Sequence, residues 1–128
     1  MKKLIALSVA FFSFNTFAHM DCLIGDYIDA HGEKVFSITG DRHSGMFTNT
    51  KTGGKTTLKM LNEKQILSLW KKMHWAAGSA RDAECAADKK FKNVVCELSN
   101  TDAEPKFNHS SNIYLGEDNE LVLVSHKE

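Results

Sequence analysis

The chain has 128 residues, with 16 basic against 16 acidic side chains, one proline and three cysteines. A length of that order is one domain. Balanced charge without a basic stripe excludes the electrostatic footprint of a nucleic-acid-binding protein.

Residues 1–18 read as a cleavable secretory signal peptide. Lys2 and Lys3 form a basic start, Leu4 to Phe14 is an apolar run, and Asn15-Thr16-Phe17-Ala18 turns polar and ends on a small residue. The run of 11 residues is too short to cross a bilayer core of about 30 Å as a permanent helix. His19-Met20-Asp21 before Cys22 is a poor approach to a lipidated cysteine, so lipid attachment is not expected. A single exported domain over 19–128, periplasmic in location, is the expectation. Loss of Lys2 and Lys3 leaves 14 basic against 16 acidic side chains, a formal net charge of −2. No second apolar stretch approaches membrane length, so stable membrane insertion after processing is not expected.

The predicted elements follow in order. Leu23 to Ile28 reads as a strand, and Asp29-Ala30-His31-Gly32 as a hairpin turn. Lys34 to Thr39 places Phe36 and Ile38 on one face. Gly40 to Gly45 is a loop bracketed by glycines, and Met46 to Thr50 a short strand. After Thr52-Gly53-Gly54, Thr56 to Leu61 puts Leu58 and Met60 on one side. The period then changes. Asn62 and Gln65 suit a capping box, and Ile66, Leu69, Trp70 and Met73 form one apolar stripe, predicting a helix from Glu63 to about His74. Ser79 and the alanines Ala80, Ala83, Ala86 and Ala87 allow a second short helix, with an irregular loop as the alternative. Phe91 to Ser99, Lys106 to Leu115 and Glu120 to Ser125 read as three further strands. The expected fold is α+β: a twisted antiparallel sheet of about seven strands, meander-rich, packed against one main helix.

Cys22, Cys85 and Cys96 all fall in the exported part, where an oxidising compartment favours pairing. Cys85–Cys96 is the expected disulfide because it closes a short local loop, contributing about 2–3 kcal/mol in the chain-entropy picture. Cys22 is then left buried or bonded to another chain. No C-x-x-C or clustered His/Cys spacing is present, so neither a metal nor another cofactor is expected.

No G-x-S-x-G elbow, P-loop, H-E-x-x-H or dinucleotide fingerprint appears, and an enzyme is not expected. Asp26 and Asp29 flank a turn, where aspartate is ordinary turn chemistry. Cleavage after Ala18 would expose His19, whose amine and imidazole could chelate copper with a second histidine among His31, His43, His109 and His126. Arg42 and Arg81, the only arginines, fall in loops, and Trp75 lies off the helix stripe beside His74. Trp and Arg dominate binding hot spots, so Arg42, His43, Trp75 and Arg81 are the candidate protein contacts, with core packing the alternative for Trp75.

In size, export and sheet-rich fold the chain is similar to small periplasmic lysozyme inhibitors and to immunity proteins that neutralise toxins, although no inhibitor motif matches residue by residue. The resulting expectation is a binding protein that inhibits or neutralises a toxin or hydrolase in the cell envelope. A copper or small-ligand carrier, using His19 or a cavity in the sheet, and a subunit of an envelope assembly are the alternatives.

Overall fold

A computed structural model describes residues 19–128. The expected signal peptide, residues 1–18, lies outside the described residues. The strands are β1 (Gly25–Ile28), β2 (Lys34–Gly40), β3 (Gly45–Asn49), β4 (Lys55–Met60), β5 (Glu84–Ala87), β6 (Val94–Glu97), β7 (Asn112–Leu115) and β8 (Leu121–Lys127). Helix α1 (Glu63–Met73) lies between β4 and β5. Each strand pairs antiparallel with its neighbours in sequence, and β8 returns to β1 to close an eight-stranded up-and-down barrel.

This closure overturns the expected open sheet of about seven strands on a main helix. Two local readings caused the difference. The last strand continues past Ser125, and its final residues make the seam: Asp26 opposes Lys127, Tyr27 opposes His126, and Ile28 opposes Ser125. The alanine-rich stretch contains a strand rather than a second α-helix. Ala77–Ala80 is a single 3-10 turn, after which β5 pairs with β4 and β6. Alanine's helix propensity yields here to tertiary pairing, because Ala86 faces the narrow interior while Cys85 and Ala87 face outward, all three buried.

Two cores result. Inside the barrel lie Tyr27, Phe36, Ile38, Phe47, Leu58, Ala86, Val95 and Val124. Aromatic rings carry this packing: Tyr27 stacks on His126 at 4.6 Å and on Phe36 at 4.5 Å, and Phe36 meets Phe47 at 4.8 Å. A 3-10 turn, Met20–Leu23, plugs one end with the wholly buried Met20 and Leu23. Gly45 is required beneath this plug, since a Cβ there would stand 2.8 Å from Met20 Sδ and 3.0 Å from Ile38 Cγ2. Outward positions on β2 to β4 include Ser37, Thr39, Thr48, Thr57 and Lys59, the reverse of a barrel wall that faces lipid.

The second core lies outside the wall of β5 to β8. Ile66, Leu69, Trp70, Trp75 and Phe107 cover Cys85, Ala87, Val94, Cys96, Ile113 and Leu115. The wall is therefore buried on both faces here, and β5 and β6 read as apolar runs without alternation. Helix α1 begins with the expected capping box: Asn62 Oδ1 accepts from Gln65 N at 2.8 Å and Gln65 Oε1 accepts from Asn62 N at 2.9 Å. It ends at His74 in the left-handed conformation, and Ile66, Leu69 and Trp70 are buried as the stripe predicts, with Met73 partly so. Cys85 and Cys96 are directly opposite on β5 and β6 and form the expected disulfide.

Candidate functional site

The barrel's connections sort the expected contact residues by position. In an up-and-down barrel alternate connections share an end. The β2–β3 turn with Arg42 and His43, and the α1–β5 connection with Arg81, therefore lie at the end plugged by Met20–Leu23. All three side chains are exposed. Asp41 builds the turn: its Oδ1 accepts from His43 N at 2.9 Å and Ser44 N at 3.1 Å, which holds its carboxyl below the ordinary carboxylate range. Arg42 Nη2 donates to His19 Nε2 at 2.8 Å, which leaves Nδ1, the ring nitrogen that chelates together with a terminal amine, outside this contact.

Trp75 is withdrawn from this surface. It is 6% exposed and packs edge-on against Trp70 at 4.9 Å and Phe107 at 5.0 Å. The buried Glu104 fixes the segment that follows: Oε1 accepts from Ala76 N at 2.7 Å and Oε2 from Lys106 N at 3.1 Å. Those two backbone donors hold its carboxyl below the ordinary glutamate value.

The other end carries a hairpin tip where the sequence reading began a strand at Phe91. Residues 88–93 form the β5–β6 hairpin tip, Asp-Lys-Lys-Phe-Lys-Asn. Asp88 is buried at its base, where Oδ1 accepts from Lys92 N at 2.8 Å and Asn93 N at 3.3 Å, and Oδ2 from Asn93 Nδ2 at 3.0 Å. Tyr114 Oη donates to Asn93 Oδ1 from the neighbouring strand. Held in this way, Phe91 adopts φ 55° and is 40% exposed. A bulky residue at positive φ is a genuine outlier, and such strain persists only where the surroundings impose it.

Phe91 borders an apolar groove of about 340 Å³ between α1 and the wall, floored by Leu69, Val94 and Leu115. Lys64 and Lys72 stand on its helix side. Among the described residues, Lys64, Lys72, Lys89 and Lys90 make no ion pair, whereas Lys92 lies 3.7 Å from Glu117. The arrangement offers one projecting aromatic ring, an adjoining apolar recess and a lysine fringe. In the sequence its one local mark is Phe91 set among Lys89, Lys90 and Lys92, which does not reveal the exposure of the ring. No family model matches the chain, and no curated protein or solved structure matches it either.

Proposed function

We propose that the protein is an exported binding domain that inhibits or neutralises another protein of the cell envelope, and that it grips this partner at the Phe91 groove. The observation carrying the reading is the exposure of Phe91 at positive φ on a hairpin tip tied down by Asp88. Asp88 sets the ring outward before any partner arrives, so little ordering cost remains to be met on association. Exposed aromatics beside apolar recesses are the usual anchors of interfaces, and the unpaired lysines favour a partner with an acidic surface. Filled by its own aromatic side chains, the barrel interior gives less support to a small-ligand carrier. Arg42, His43 and Arg81 at the opposite end form a polar surface without such an anchor.

The test is retention of envelope proteins on the immobilised protein. One partner should be held by the wild type, weakened by about 2 kcal/mol or more in Phe91→Ala, and weakened further by Lys72→Glu. Thermal unfolding of the variants should remain near wild type. Equal retention by Phe91→Ala, or no retained protein, would overturn the reading.

A further inference from the structure

At the plugged end the barrel interior changes character. Glu84 opens β5 and Glu97 closes β6; they are directly paired across the two strands and both point inward. Like charges in that relation repel. Cys22, on the plug, donates its thiol to Glu84 Oε1 at 2.9 Å and also contacts the His19 carbonyl at 3.0 Å. The thiol sulfur and one oxygen from each carboxylate all lie within 4.8 Å of one another. All three residues are partly buried, and among the described residues no lysine or arginine pairs with either glutamate.

A second observation is independent of that cluster. Asn112 opens β7 directly opposite Glu97, so its side chain enters the barrel on the same face. It is only 8% exposed, and its Nδ2 is buried without any hydrogen-bond partner. A buried amide donor left unmatched costs free energy and calls for an acceptor supplied from elsewhere.

We propose that Cys22, Glu84 and Glu97 form a zinc site at the mouth of the barrel, with Asn112 donating to the oxygen of a fourth ligand, water or a carboxylate brought by another molecule. A dication neutralises the two facing carboxylates, and its fourth ligand gives Asn112 the acceptor it lacks. One sulfur with two carboxylates selects a borderline-soft ion such as zinc over calcium or magnesium, which take oxygen alone. Zinc sits about 2.3 Å from sulfur and about 2.0–2.2 Å from carboxylate oxygen, and donors already grouped within 4.8 Å reach that arrangement by side-chain rotation. On binding, the Cys22 S–H bond breaks, the Zn–S bond forms, and the proton leaves to solvent. A three-residue ligand set with one open position is the pattern of sites whose metal meets a further molecule.

The experiment is titration of the protein, as recovered from the expressing cell, with zinc alone, under oxygen-free buffer so that the Cys22 thiol stays reduced and the Cys85–Cys96 disulfide stays intact. One zinc per chain is expected. Affinity should fall at least tenfold in Cys22→Ser and in Glu97→Gln, and about tenfold in Asn112→Ala, as outer-shell changes do. His19→Ala should bind as the wild type. Cobalt in place of zinc should give a thiolate charge-transfer band that vanishes in Cys22→Ser. Glu97→Gln removes a like-charge contact and should retain the wild-type circular dichroism, so its lost affinity cannot be attributed to unfolding. No stoichiometric zinc binding, or binding that survives both Cys22→Ser and Glu97→Gln, would overturn the proposal.

Discussion

Glu84 and Glu97 face each other across β5 and β6 one residue from the Cys85–Cys96 bridge, with the carboxylates inside the barrel and the disulfide outside. Burial and the Glu84 charge, in that order, push the Glu97 carboxyl above its ordinary range. In zinc-free protein at neutral pH, Glu84→Gln should therefore raise stability by about 0.2–1 kcal/mol, the scale of a cross-strand charge pair. Glutamine keeps an acceptor for Cys22. Chemical denaturation measures this, and a loss of stability would show that the pair is not repulsive.

Glu104 tests the opposite sign. Its carboxylate is stabilised by the backbone donors of Ala76 and Lys106, so its folded pKa lies below the unfolded one. The stability it supplies is present above the unfolded pKa and is lost as pH falls through the folded value. Glu104→Ala should cost about 1–3 kcal/mol at neutral pH, and the difference from wild type should shrink in acid. Denaturation curves at pH 7 and below 4 (about the ordinary carboxylate range) check both statements.

Much of this fold is legible locally, and the rest depends on contacts that no window contains. Asn62, Gln65 and the stripe Ile66, Leu69 and Trp70 announce the helix because its cap and burial repeat at helical spacing. Phe36, Ile38 and Leu58 announce inward strand faces by alternation. Ala83 to Ala87 hides a strand, since both its faces are buried and alternation disappears. Closure pairs Tyr27 with His126 from opposite ends of the described chain, as does the contact of His126 Nε2 with the Ile24 carbonyl across 102 positions, and no local pattern carries it. For the candidate sites, Cys85–Cys96 was readable from spacing and compartment. Phe91 was not, because its exposure is imposed by the buried Asp88 and appears as strand character in sequence. The Cys22 cluster was also hidden, its three members being brought together only by the register of β5 with β6 and by the plug.

Leu69 lies under the helix against the wall and is 7% exposed. Leu69→Ala should cost about 2–5 kcal/mol through lost burial and the residual cavity. A change below about half a kcal/mol, the scale of surface substitutions, would place this face in solvent.

Gly45 and Met20 form a coupled pair. Gly45→Ala should destabilise by about 1–3 kcal/mol, the range for overpacking, because the new methyl group meets Met20 Sδ. In a Met20→Ala background the same substitution should cost markedly less. A double-mutant cycle with no coupling would separate Gly45 from the plug.

Site-specific photo-crosslinking tests the proposed role of Phe91 as the partner-binding anchor most directly. A photoreactive phenylalanine analogue at position 91 should capture one envelope protein in high yield, while the same analogue at Met46, an exposed outward position of β3, should capture none. Capture from position 42 or 81 with none from position 91 would contradict the account and move the interface to the opposite end of the barrel.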